Sequence, residues 1–252
     1  MSEWQLIRLD SSEDGVRLLT LDDPARHNAI SVAMREELVD CAARLRADPD
    51  ARVLVVTGAG RSFCSGADLL EVLGGPERDV LEMRNSLRDV YASFLELRAL
   101  PIPTIAAVQG HAIGAGLNVA MSCDIRLAGP GARFGATFTR IGLHPGGGCT
   151  YFLTSALGPQ RALQILLDGA TLTGEEAVRV GLALSLHDDP LAEALSMARR
   201  FAGVSPELAR DIKATVRLAE KGLDASLGYE TWAQAATATQ PRIWETLRGP
   251  RG

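Results

Sequence analysis

Short apolar runs and amphipathic stretches alternate along most of the chain. Trp4 to Leu9 and Val16 to Leu21 are short alternating or apolar runs on either side of Asp10-Ser-Ser-Glu-Asp-Gly15. That pattern predicts an antiparallel hairpin with a long turn. Asp22-Asp-Pro24 breaks the second strand. Ser31 can cap a helix whose Met34, Leu38, Cys41 and Leu45 share one face, with Asp48-Pro49 as its end. Val53 to Val56 reads as a buried strand, turned by Thr57-Gly-Ala-Gly60. Phe63 to Asp68 reads as a loop and Leu69 to Val72 as a helix opening, followed by a flexible break at Gly74-Gly-Pro76. From Glu77 to Leu97, apolar residues at Val80, Met83, Leu87, Tyr91, Phe94 and Leu97 predict a long amphipathic helix.

Everything else is arranged about residues 104–124. Thr104 to Val108 is an apolar, partly β-branched run behind Pro101 and Pro103, and predicts a buried strand. Gly110, Gly114 and Gly116 follow, and then Leu117 to Met121 suits a short buried helix. A strand, a glycine-rich turn and a helix start leave backbone N–H groups without intrahelical partners at the positive end of the helix dipole. An anion or a developing oxyanion is stabilised at such a place. Val119 stands where the third glycine of a dinucleotide fingerprint would fall, and no Gly-Lys-Ser/Thr follows, so neither phosphate motif is present.

Ile125 to Ala128 predicts another strand, Gly142 to Gly148 a glycine-rich turn, and Tyr151–Ala156 and Arg161–Leu167 two helices. Thr173 and Glu176 form a capping-box pattern for a helix that Gly181 closes. After Asp188-Asp-Pro190 the pattern is helical only, over Leu191–Phe201, Pro206–Ala219 and Leu223–Leu247. The change divides the chain near residue 190 into an α/β core, 1–190, and a helical C-terminal segment, 191–252, whose Leu223, Leu227, Trp232, Ile243 and Trp244 are more apolar surface than a lone segment should leave exposed, so that it is expected to mediate oligomerisation.

Composition narrows this little. With 252 residues and 46% hydrophobic content the chain has ample material for a core. The net charge of −5 gives no basic footprint for nucleic acid. Cys41, Cys64, Cys123 and Cys149 are scattered, which argues against a metal cluster or disulfide framework and for reduced thiols in the cytoplasm. No basic-then-apolar signal opens the chain and no run is long enough for a membrane span.

Ser62-Phe-Cys-Ser-Gly-Ala-Asp68, then Gly110-His-Ala-Ile-Gly-Ala-Gly-Leu-Asn118 with Cys123-Asp124, resembles the enoyl-CoA hydratase/isomerase (crotonase) superfamily. Pro24-Ala-Arg-His-Asn-Ala29, Arg133-Phe-Gly135 and Gly142-Leu-His-Pro-Gly146 extend the likeness over most of the chain. The resemblance implies an α/β fold, a crotonase-like spiral of β-β-α units with a helical C-terminal segment, assembled as a homotrimer or homohexamer. It implies an acyl-CoA thioester as ligand, coenzyme A being part of the substrate, with no tightly bound cofactor and no metal.

By the same resemblance, the thioester carbonyl lies between the backbone N–H groups of Ala67 and Ala115. Ser65, Asp68 and Leu69 match positions near bound CoA, though Asp68 also reads as the acid that opens the next helix. Arg26 and His27 stand where similar proteins place a basic residue near the CoA phosphates; either also suits a solvated loop. The departure is at the two glutamates that position water and move protons in similar hydratases: their places hold Asn118 and Phe138. An amide is no base and a phenyl ring no ordinary donor or acceptor. His144 is the first candidate for substitute proton transfer, against the reading of a loop histidine bonded to backbone. Thr139 and Arg140 are candidate polar contacts, and Cys64 and Cys149 read as buried filler rather than nucleophiles. These residues point to an enzyme on acyl-CoA thioesters, with a non-catalytic acyl-CoA-binding protein, a family enzyme of different reaction type, or a structural subunit as alternatives.

Overall fold

The computed structural model describes residues 4–74, 79–221 and 223–238. Its strands are β1 (Ile7–Ser11), β2 (Val16–Leu21), β3 (Val53–Gly58), β4 (Ser62–Cys64), β5 (Thr104–Val108), β6 (His111–Ile113), β7 (Ile125–Ala128), β8 (Arg133–Gly135), β9 (Thr171–Thr173) and β10 (Ser185–Leu186). Its helices are α1 (Val32–Ala47), α2 (Leu69–Leu73), α3 (Val80–Arg98), α4 (Ala115–Ser122), α5 (Cys149–Leu157), α6 (Pro159–Asp168), α7 (Gly174–Val180), α8 (Pro190–Ala202), α9 (Pro206–Leu218) and α10 (Leu223–Ala238).

Two sheets form the frame. One has the order β1-β2-β3-β5-β7-β10, the other β4-β6-β8-β9. The chain visits them in turn: β3 then β4 then helix, β5 then β6 then helix, β7 then β8 then helix. This is the spiral of β-β-α units of the crotonase fold. β1 pairs antiparallel with β2, Ile7 opposite Leu21, while β2, β3, β5, β7 and β10 run parallel.

The central strands are apolar on both faces because both are covered. Leu54 and Val56 of β3, with Ala106 and Val108 of β5, enter the main core beside α1 and α4. The alternate residues Val53, Val55, Ile105 and Ala107 pack with Ala194 and Ala198 of α8. The first helix after residue 190 therefore covers the sheet's outer face and is part of the core. Among the described residues after 202, α9 and α10 stand apart from that layer.

The first strand starts later than Trp4, at Ile7, because the backbone N–H groups of Gln5, Leu6 and Ile7 bond to the Glu37 carboxylate. Periodicity missed β4, β6, β8, β9 and β10, of two or three residues each; runs this short carry no readable alternation. α3 begins at Val80, where Asp79 and Glu82 form a capping box, and the expected start at Glu77 lies outside the described residues, as do Gly75 and Pro76 of the expected break. Ser31 caps α1 through Met34 N–H, and the Thr173–Glu176 capping box is formed as its spacing predicts. The part of the last predicted helix beyond Ala238 is outside the described residues. Among the described residues no helix is long and apolar enough to cross a membrane.

Candidate active site

A cavity of about 150 Å³ lies where the β4–α2 turn, the β6–α4 turn, α3 and the glycine-rich 142–148 turn meet. Each wall follows from local sequence. The segment 65–68 is clamped to Ile30: Ile30 N–H donates to Gly66 O at 2.8 Å and Asp68 N–H donates to Ile30 O at 3.0 Å. Ile30 and Ala67 are thus a parallel bridge pair. In such a pair the flanking residues bond the partner, and the central residue's own N–H points the other way. That N–H, on Ala67, has no acceptor among the described residues. Gly66 takes φ +112°, which an L side chain rarely adopts.

Ala115 is the first residue of α4, so its N–H has no intrahelical partner. No other acceptor for it exists among the described residues. The two turns touch: a Cβ on Gly66 would stand 3.7 Å from Ala115 N, and one on Gly116 would stand 2.1 Å from Cys64 O. Two unpaired backbone donors therefore line one cavity, from turns packed as closely as glycine allows.

The remaining wall is largely apolar, with Leu87, Val90, Ile113, Phe138, Ile141 and Leu143. Among the described residues no carboxylate lines it. Asn118 is 1% exposed; its Nδ2 donates to Gly146 O at 2.8 Å. Its Oδ1 is buried and has no partner. Since a carbonyl only accepts, that bond fixes which way the amide faces. Phe138, on the 3-10 turn Thr137–Ile141, packs against the core and lines the cavity. His144 lies at the exposed rim, with Nδ1 2.8 Å from Pro145 O.

Ser65 and Leu69 line the cavity; Arg26, His27 and Asp68 do not. Ser65 N–H donates to His27 O at 3.0 Å, and His27 Nδ1 is 3.2 Å from Ser62 Oγ. Asp68 caps α2 by accepting from Glu71 N–H at 3.1 Å and pairs with exposed Arg26. The Glu71 N–H bond and then Arg26 hold the Asp68 carboxyl below its ordinary range.

Two expected contacts are absent from the lining. Thr139 donates to Leu166 O at 3.2 Å, and Arg140 lies against Gly169. The 3-10 turn carries both away and presents Thr137 instead. Conversely, Tyr91 lines the cavity although its place in the α3 pattern marks only an apolar stripe. Burial raises its phenol above the ordinary value, with the Gly147 amide opposing. Helical spacing cannot reveal that a tyrosine tip reaches a distant glycine turn.

Cys41, Cys64, Cys123 and Cys149 are buried, and burial pushes each thiol up to about 12. They are filler, as the sequence suggests for Cys64 and Cys149. Ellman's reagent at pH 8 is expected to label none in the folded protein and all after denaturation. Fast labelling of Cys64 in the native state would contradict the packing of the β4 turn.

The family model described as enoyl-CoA hydratase/isomerase matches residues 11–243. The chain belongs to this family. A probable enoyl-CoA hydratase of Mycobacterium tuberculosis, EchA14, is 46% identical over 217 residues, covering 86% of this chain and 83% of that protein. The 2,3-dehydroadipyl-CoA hydratase of Escherichia coli is 35% identical over 223 residues, 87% of this chain and 86% of its own. The crystal structure of an enoyl-CoA hydratase from Bacillus anthracis superposes with a TM-score of 0.90 at 28% identity, covering 97% of this chain and 95% of that one. The family works on CoA thioesters, and the cavity lies at the two motifs that carry the resemblance.

Proposed function

We propose that this enoyl-CoA hydratase/isomerase family protein binds an acyl-CoA thioester with its carbonyl oxygen between the N–H groups of Ala67 and Ala115. The proposed chemistry is at the thioester's α-carbon and is not carboxylate-driven water addition. One observation carries the reading: two backbone donors without acceptors line an apolar cavity that no carboxylate lines, among the described residues. Any reaction at the α-carbon builds charge on the thioester oxygen, and one such donor is worth about 10²–10³ in rate. The names of the M. tuberculosis and E. coli relatives agree with the ligand class. In this reading Ser65 and Leu69 lie along the CoA, Asp68 holds their turn, and Arg26 with His27 faces the phosphates. His144 is then the first candidate to move a proton. The absence of carboxylates equally favours a second reading, a carrier that binds without turnover.

Titration calorimetry with acetyl-CoA and with free CoA tests the site. The thioester is expected to bind more tightly, and equal affinity removes the oxyanion argument. Turnover of bound enoyl thioester then separates enzyme from carrier.

Assembly as a homotrimer or homohexamer belongs to the same proposal. It narrows from residues 191–252 to α9 and α10, since α8 is part of the core. Ile212, Val216 and Trp232 are 53%, 67% and 81% exposed, and Leu227 is exposed as well. A monomer rarely leaves such a cluster in water. Ile243, Trp244 and the side chain of Leu223, which the sequence adds to this surface, lie outside the described residues. Light scattering at micromolar concentration is expected to give three protomers or a multiple; a monomeric mass counts against it.

A further inference from the structure

We propose that a second pocket, at the C-terminal end of α4, is a binding site for a phosphate group, held by Arg98, Arg126 and Arg217. The site does not depend on the thioester reading above. The pocket has a volume of about 230 Å³ and shares no lining residue with the acyl cavity. Gly114 and Ala115 face the acyl cavity, whereas Met121 and Cys123 face this pocket. The two therefore lie at opposite ends of α4, a helix of 8 residues and so about 12 Å long.

The whole chain carries a charge of −5, yet cations prevail here. Arg98, Arg126 and Arg217 line the pocket, and Asp124 is the one carboxylate among its described lining residues. That carboxylate is already engaged. Its Oδ2 accepts from Thr104 N–H and Thr104 Oγ1 at 2.9 Å and from Lys213 Nζ at 2.8 Å, and its Oδ1 accepts from Arg217 Nη2 at 3.0 Å. Each arginine keeps a free donor. Arg217 Nε is buried without a partner. Arg126 gives Nε to Leu182 O at 2.6 Å and Nη1 to Cys123 O at 2.8 Å, and its Nη2 has no acceptor among the described residues. Arg98, the last residue of α3, makes no hydrogen bond or ion pair among the described residues. Its guanidinium lies 5.2 Å from the ring centroid of Phe152 and 5.8 Å from that of Tyr151, both of which line the pocket. Burial, and with it the charge of nearby Arg98, lowers the Arg126 guanidinium from its ordinary value.

The C-terminal ends of α3 and α4 bring in partial negative charge, about half a unit each. Together with Asp124 they offset about half of the charge on the three arginines and Lys213, which leaves a surplus of roughly two. A phosphate group carries about two negative charges, and guanidinium forks match its oxygens in pairs.

Titration calorimetry of the unmodified protein with inorganic phosphate, in chloride buffer of constant ionic strength and without CoA, tests the site. One site per chain is expected. Glycerol 3-phosphate titrated in the same way separates a free phosphate from an esterified one: the tighter ligand names the source, and binding of either supports the site. Arg98→Gln should weaken that binding about tenfold to a hundredfold, the worth of a charged hydrogen bond. Arg98→Lys, which keeps the charge and loses the fork, should fall between, and it carries the test if Arg98→Gln fails to fold. Arg26→Gln should leave the affinity unchanged. Binding that Arg26→Gln removes and both Arg98 variants spare overturns the proposal. So does the failure of both ligands to bind. If in that case Arg98→Gln also lowers the mass seen by light scattering, the arginines hold an acid of a second copy instead.

Discussion

Crotonyl-CoA hydration by the unmodified protein is expected to run several orders of magnitude below that of an ordinary hydratase. Water addition to an enoyl thioester needs a site for the oxyanion, a base for the water and an acid for the α-carbon. On the proposed reading the turns at Ala67 and Ala115 supply the first. At the positions that supply the others in similar hydratases stand Asn118, whose amide is tied to Gly146 O, and Phe138. General acid–base help is worth roughly 10²–10⁴ per group, and the two losses add only in part. The structure offers no carboxylate from elsewhere to compensate, among the described residues. The assay is loss of the conjugated enoyl-thioester absorbance. Turnover on the order of 10 per second or more would sink the expectation. Another group would then move the proton, and His144→Gln would have to abolish turnover while sparing acyl-CoA binding. Asn118→Glu with Phe138→Glu should raise the rate, provided the cavity accepts both carboxylates. Phe138→Glu alone is expected to destabilise, since an unpaired buried charge is costly.

The second large effect is structural and reaches the same site. Asn28→Leu should cost about 3–5 kcal/mol, the range of mutations that strand several buried polar groups. Asn28 is fully buried and lies at φ 57°, beside His27 at φ 53°. Its Oδ1 accepts from Asp23 N–H at 2.9 Å. Its Nδ2 faces the carbonyls of Ala59 at 3.0 Å, Ser62 at 2.8 Å and Phe63 at 3.2 Å. Leucine removes all of these bonds and resists the left-handed backbone. Asn28→Asp keeps shape and backbone tolerance but sets a carboxylate oxygen against three carbonyls, and should be as damaging. Asn28→Gly keeps the backbone conformation and separates strain from hydrogen bonding. Urea midpoints with an unchanged slope give the order Gly mildest, Leu and Asp worst; midpoints close to the parent's for Leu and Asp would refute it. Because Asn28 ties the 24–30 loop to β4, and Ile30 of that loop clamps Gly66 and Asp68, partial destabilisation should also weaken acyl-CoA binding.

The sequence by itself determined the long elements and the places where a backbone must bend sharply. α1 was legible from Ser31 and the stripe Met34, Leu38, Cys41 and Leu45, and α7 from Thr173, Glu176 and Gly181, because caps and helical spacing are local chemistry. β3 and β5 were legible because both of their faces are buried and their runs are mostly apolar. The motifs around Ala67 and Ala115 were legible too, since glycine at 66, 114 and 116 answers to backbone shape.

Only the tertiary structure decided the rest. The four-stranded sheet of β4, β6, β8 and β9 exists through partners distant in sequence, and three residues hold no period to read. That Ala67 N–H turns to the cavity depends on its bridge to Ile30, some 37 positions earlier. α8 looks like the start of a separate helical segment, yet Ala194 and Ala198 make it the cover of the sheet, because small residues on one face reveal nothing about what they pack against. Tyr91 reads as one more apolar position of α3. Its role as a polar wall of the cavity comes from a glycine turn 55 residues later, and contact over that separation is fixed by packing.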